Sequence, residues 1–264
     1  MGAKIQVLLS TMHQNGTEVL KKMNIGHDSC VVVNQTDGDG VRDYNNGQVM
    51  WIDSSDRGLS KSRNLAISHA SADICMLADD DMIYADNYQE IVQEAFRQHP
   101  EYDVITFQAE GIDKKFKDYY PQSRDITFFS VRSVASVEIA FRLDPIRKHN
   151  LHFNERFGAG CEFNHGEENL FLYDCLAKGL KILYIPKVIA KLYVGDSTWF
   201  KGYDQNYFRT NGAFFYNISK TFWWVFALRF AIFRYKRYAK ECTLVNALKY
   251  MWQGKNMEVK IQKK

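Results

Sequence analysis

The stretch "ICMLADDDMIY" (residues 74–84) sets three consecutive aspartates, Asp79, Asp80 and Asp81, at the end of an apolar run. Ile74 to Leu77 lack polar alternation, the pattern of a strand covered on both faces. Adjacent carboxylates repel one another and resist burial, so such a run ends where it meets solvent or a positive charge. In an open parallel sheet, ligands bind beyond the carboxyl ends of the strands. Side chains alternate along an extended chain, which sends Asp79 and Asp81 to one side and Asp80 to the other. Two carboxylates on one side supply hard oxygen donors for Mg2+ or Mn2+. A solvated acidic turn is the plainer reading; the apolar residues on both flanks favour the cation.

Working outward, short β-rich runs alternate with helical patterns. Strands are predicted at 4–10, 29–35, 47–53, 72–79 and 102–108, and helices at 16–23, 59–70 and 87–99, the last stopping at Pro100. This alternation predicts βαβ units, an α/β fold with a mostly parallel central sheet flanked by helices. The polar stretch 110–125 reads as a long loop. Beyond it, 136–144 is strand-like, 167–179 helical, and 180–186 a strand ended by Pro186. Composition is ordinary for a globular chain, 46% hydrophobic and 25% charged over 264 residues, and a net charge of +3 is too small to imply nucleic acid. Five scattered cysteines without a CxxC pair argue against a disulfide framework or a zinc site, and the N-terminus lacks a small-residue cleavage site; the expected location is the reducing cytoplasm.

From about Ala213 the character changes. "AFFYNISKTFWWVFALRFAIFRYKRYAK" (213–240) is aromatic-rich and basic, and its apolar run is interrupted by Arg229. A bilayer span needs about 20 apolar residues, so the pattern fits a helix lying in the membrane interface better than one crossing it. The alternative is a packing element of the fold. The chain therefore divides into a domain over 1–212 and an aromatic and basic helical appendage over 213–264, with peripheral contact to the inner face of the plasma membrane.

Two further motifs carry chemistry. In "DRGLSKSRN" (56–64), Arg63 lies on the first turns of a helix and is able to grip a phosphate or a base edge; an ordinary surface helix is the alternative. In "HGEENL" (165–170), Glu167 and Glu168 open a helix whose dipole favours carboxylates there, and a carboxylate at that place can also act as a general base. Together with "LLSTMHQN" (8–15), "VVVNQTDGDG" (31–40) and "LADDDM" (77–82), these motifs resemble, in order, the family 2 glycosyltransferases of the GT-A fold. The resemblance covers roughly residues 4 to 190 and is similar to bacterial capsule and exopolysaccharide transferases.

The resemblance implies transfer of a sugar from a nucleotide-diphosphate donor, with UDP-sugar first choice, to a hydroxyl of a glycan or polyprenyl-diphosphate-linked acceptor, inverting the anomeric carbon. It implies Glu168 as the base, Asp81 and Asp79 as ligands of Mg2+ or Mn2+, and Ser10, Thr11, Gln35, Asp37, Arg63, Asp79, Asp80 and Glu167 as substrate contacts. His165 adjoins the base and is a candidate contact to acceptor or donor phosphate, with an incidental loop histidine as the alternative; Trp199 is a candidate sugar platform or equally a core residue. Departures from the family pattern are Asn34 and Gln35 where acids are usual, Ala78 in place of a first aspartate, and "GEE" for "GED". A nucleotidyltransferase would need a Gly-rich phosphate loop after the first strand, which "STMHQNG" does not resemble. A non-catalytic membrane-attached adaptor that keeps the fold is the other alternative.

Overall fold

A computed structural model describes residues 2–26, 28–195, 200 and 202–262. Trp199 lies outside the described residues.

Four strands, β1 (Ile5–Met12), β2 (Cys30–Gln35), β4 (Val49–Ser54) and β5 (Ile74–Asp79), run parallel in the order β4-β2-β1-β5. Every residue of β2 is buried, Cys30 to Val33 as their unbroken apolar run requires and Asn34 and Gln35 with hydrogen-bond partners. Helices α1 (Glu18–Lys22), α2 (Leu59–His69) and α3 (Tyr88–Gln98) supply crossovers and cover the sheet. Alternate residues of β1 enter opposite layers. Val7 and Leu9 pack with Val19 of α1 and Val92 and Phe96 of α3. Leu8 faces the other layer, with Ala66 and Ile67 of α2. Fully burying one such side chain contributes about 1.5–3 kcal/mol.

The sheet as a whole is mixed. β3 (Gly40–Tyr44) lies antiparallel to β4, joined to it through Asn45, Asn46 and Gly47, all left-handed with φ of 55°, 55° and 82°. On the other side β9 (Ile139–Arg142) runs antiparallel between β5 and β7 (Val104–Gly111), and β10 (Ile182–Leu192) lies parallel to β7. The short strands β6 (Met82–Tyr84) and β8 (Arg124–Asp125) add to β10. β10 does not end at Pro186 as expected. The strand continues because the pairing with β7 shifts register between Tyr184 and Val188, a bulge that absorbs the missing N–H of proline. α4 (Leu143–Lys148) and α5 (Glu167–Ala177) close the second layer, where Phe171 of α5 stacks on Phe153 at 4.4 Å between ring centroids.

Three helices follow: α6 (Gln205–Ile218), α7 (Trp223–Tyr238) and α8 (Leu244–Gln262). The boundary expected at 212/213 falls inside α6; the helical unit starts at Asp204, whose side chain caps α6 by accepting from the Tyr207 N–H. Phe208, Phe214, Phe215, Phe230 and Tyr238 form a third core with Phe157, Phe163 and Leu170 from the preceding loop and α5. The appendage is thus packed onto the site-bearing loops. α6 and α8 cross at backbone contact: a Cβ on Gly212 would meet the Met251 carbonyl oxygen at 1.9 Å, and one on Gly254 the Arg209 carbonyl oxygen at 1.8 Å. Gly212→Ala would gain about 1 kcal/mol of helix propensity, but the helices would have to separate. We expect a net loss of about 1–3 kcal/mol, read as a lower urea midpoint; an unchanged midpoint would contradict the close crossing.

Candidate active site

The strand register lines up polar residues on one rim. Ser10 pairs with Asp79, Thr11 with Asn34, and Asn34 with Asp53 across the parallel ladders. Buried Ser10 bonds through Oγ to Ser62 Oγ of α2 at 2.8 Å, and Thr11 Oγ1 donates to Asp80 Oδ2. Asn34 donates to Asp53 Oδ1 at 2.8 Å and accepts from the Gln14 N–H at 2.9 Å. Gln35 Oε1 accepts from the Gly58 N–H at 2.8 Å. Gly58 has φ 121°, and a Cβ there would lie 2.9 Å from Cys161 Sγ, so glycine is required where loop 157–161 closes over the start of α2. Asp37 stays on an exposed loop, paired with Arg57 at 2.8 Å. A cavity of 330 Å3 opens beside this rim between Gln35, Ser54, Asp56, Lys61 and Glu155. A cavity of 640 Å3 lies elsewhere, behind α5 among Ile126, Phe128, Leu170 and Tyr173, and holds none of the predicted site residues.

Arg63 departs from expectation. It is 1% exposed, and its Nη2 donates to Asp79 Oδ1 and its Nη1 to Glu167 Oε1, each at 3.0 Å. The Phe153 ring lies 5.5 Å from the guanidinium carbon. Both terminal nitrogens of the guanidinium are spent on protein carboxylates, its buried Nε has no hydrogen-bond partner among the described residues, and the side chain is enclosed by protein. It is a strut that ties the end of β5 to the start of α5, residues far apart in sequence. Glu167 is likewise only 6% exposed and engaged with Arg63.

Alternation does not pair Asp79 with Asp81. β5 ends at Asp79, and Asp80 and Asp81 form the turn into β6. Asp79 turns inward, where its Oδ2 also accepts from Ser136 at 3.3 Å, whereas Asp80 and Asp81 are exposed.

α5 begins after Gly166, which is left-handed at φ 96° and sits where a Cβ would strike the Phe214 ring of α6 at 2.9 Å. Half-buried Glu168 follows Glu167. Desolvation, then the adjacent Glu167 carboxylate, push the Glu168 carboxyl up to about 8, against the pull of Arg63. His165 is held near Asn164 Oδ1 (Nδ1, 2.9 Å) and Asn211 Nδ2 (Nε2, 3.3 Å), and its ring stacks on Tyr207. Burial and then Arg132 push its pKa down to about 4, so it is neutral near pH 7 and fixes the α6 contact rather than offering charge to a phosphate.

The family model for glycosyl transferase family 2 matches residues 18–165, more than half of the chain. The chain belongs to this family. A comparison with curated proteins finds no match. Among solved structures, S. aureus TarS 1-349 superposes with a TM-score of 0.66 at 14% identity, covering 95% of this chain and 80% of that one. The same fragment in complex with UDP-GlcNAc gives 0.68 at 15% identity over 95% and 81%, and in complex with UDP 0.63 at 15% over 95% and 80%. The likeness shows the fold, the α/β GT-A arrangement of a central sheet flanked by helices.

For a family 2 enzyme, the donor set at 79–81 is informative. Among the described residues no group of three or more His, Cys, Asp and Glu is placed to hold a metal ion. A cage made wholly of protein ligands is therefore not what this turn provides. Exposed carboxylates on a turn do fit a hard cation that takes one or two protein oxygens and completes its shell from phosphate and water.

Two residues escaped the sequence reading. Asp53, at the end of β4, is held by Asn34, by Trp51 Nε1 at 3.0 Å and by Arg42. Although burial works against it, these donors keep its carboxyl below the usual range. Its place at the end of a predicted strand was the available signal. Arg132 lies over Phe214, Phe215 and Phe230, with its guanidinium carbon 5.1–5.3 Å from the ring centroids, and donates to Asn211 Oδ1 at 3.2 Å. Its segment carries no motif, and its partners come from elements far along the chain.

Proposed function

We propose that this chain is an inverting glycosyltransferase that moves a sugar from a UDP-sugar to a hydroxyl of a glycan or lipid-linked acceptor in bacterial surface polysaccharide synthesis. The observation that carries this reading is the buried Arg63 bridge, which holds the acidic turn after β5 and the carboxylates of α5 at one site. The GT-A structures of S. aureus TarS with UDP-GlcNAc and with UDP support the choice of donor.

Glu168 takes the proton of the acceptor hydroxyl. The hydroxyl oxygen then bonds to the anomeric carbon as the bond from that carbon to the diphosphate oxygen breaks, on the opposite face. One displacement inverts the carbon, and no second carboxylate nucleophile is needed. A divalent cation, Mg2+ or Mn2+, would neutralise charge on the leaving diphosphate. Asp81 would be its first ligand, on the exposed turn that follows β5. Thr11 steadies Asp80 beside it, and Glu167 keeps Arg63 in place.

Calorimetric titration with UDP, with and without Mn2+, tests the reading. Wild type is expected to bind UDP at least about tenfold, or 1.4 kcal/mol, more tightly with Mn2+, and Asp81→Ala to lose that increment while keeping its metal-free affinity. Equal affinity with and without Mn2+ in wild type would favour the non-catalytic adaptor. A donor screen reading nucleoside diphosphate release would then identify the sugar.

A further inference from the structure

We propose that the outward face of α7, with Phe129 beside it, docks onto an anionic lipid bilayer. α7 sends Trp223, Ala227, Phe230, Ala231 and Tyr238 into the third core. Its other side would be polar in an ordinary surface helix. Here it carries Trp224, Val225, Leu228, Ile232 and Phe233, exposed at 40–75%. At 100° per residue, 225, 228 and 232 share one stripe with 224 on its border, and the exposed Arg229 and Lys236 lie between that stripe and 233. Phe129, 91% exposed, extends the ridge onto the catalytic domain: its ring neighbours Phe128 at 5.6 Å, which lies 6.0 Å from Phe226 of α7.

Charge selects the occupant. Residues 213–240 contain six basic residues, Lys220, Arg229, Arg234, Lys236, Arg237 and Lys240, and no acidic one. A second copy meeting this face by two-fold symmetry would set like charges against each other. An anionic headgroup layer satisfies the cations while the apolar ridge enters the acyl boundary. No helix among the described residues is long and apolar enough to cross a membrane, so α7 lies in the plane of the interface. Docking stands independently of the proposed reaction; only its purpose, bringing Glu168 to a lipid-linked acceptor, rests on that reading.

The test is co-sedimentation of the full chain with vesicles of phosphatidylglycerol and phosphatidylcholine. Wild type is expected to partition at least tenfold more strongly into mixed vesicles than into pure phosphatidylcholine, and less strongly at high salt. Leu228→Glu with Phe233→Glu is expected to reduce partition at least tenfold, and Lys236→Ser with Arg237→Ser to remove most of the preference for anionic lipid. Unchanged circular dichroism and UDP binding would show that these outward substitutions leave the fold and the donor site intact. Absence of wild-type binding, equal binding to both vesicles, or full binding by the Glu variant would overturn the proposal. So would a wild-type dimer in sedimentation velocity that the Glu variant abolishes. Loss of UDP binding in a chain that still docks would refute the enzyme reading alone.

Discussion

Glu168→Gln is expected to lower sugar transfer by about 10^2–10^4-fold while leaving the fold intact. Gln keeps the shape of Glu and its carbonyl acceptor but cannot take a proton. The carboxyl is half-buried beside Glu167 and raised to about 8, so wild type carries it largely protonated near neutrality. The base form grows with pH, and kcat/KM is expected to rise through neutrality and level off above about 8. In the Gln variant that limb disappears, which initial rates of nucleoside diphosphate release across pH would read. Stability runs the other way. The folded-state value lies above the unfolded 4.5, so this group's contribution is full below the unfolded value and is lost as pH rises through the folded one. Glu168→Gln is accordingly expected to be at least as stable as wild type in alkaline solution. A variant with full activity would remove Glu168 from the role of base.

Arg63→Met is expected to cost about 3–5 kcal/mol of stability and to abolish transfer. Met fills much of the volume and keeps contact with Phe153, but leaves Glu167 and Asp79, with side chains 8% and 30% exposed, without their shared cation. Removing one member of a buried ionic group strands the others. Arg63→Lys is expected to recover only part of the loss, since one ammonium cannot reach both carboxylates as the fork does. Arg63→Met combined with Glu167→Leu is expected to regain stability without activity, because the stranded buried charge is removed together with the link between β5 and α5. Urea unfolding and product formation on the three variants separate positioning from simple loss of fold. Wild-type stability in Arg63→Met would contradict the bridge.

The parallel half of the sheet was legible because local pattern and tertiary role coincide there. "CVVV" and "ICML" are apolar without alternation, and both are central strands. β3 was missed although Asn45-Asn46-Gly47 is a turn signal, since its own residues, Gly40–Tyr44, have no apolar run and are mostly exposed at the sheet edge. The 180–186 strand was cut short at Pro186 because a bulge depends on the partner strand, which no local pattern reveals.

At the site, the order of motifs along the chain was enough to select Asp79–Asp81 and Glu167–Glu168, because their chemistry follows from residue type and position at element ends. The division of labour within each group was not legible. Which aspartate turns inward depends on where β5 stops pairing. Which glutamate faces Arg63 depends on how α5 docks. Whether Arg63 meets substrate or protein depends on Phe153, Asp79 and Glu167 converging from distant segments. The sequence by itself thus determined an α/β chain with an acidic strand end, a carboxylate helix start and an aromatic, basic tail. Tertiary structure alone decided that one buried guanidinium joins the two acidic sites, and that the tail packs one side of α7 while leaving the other apolar side in water. Desolvation and ion pairing are set by what surrounds a side chain in space, and local pattern does not encode those surroundings.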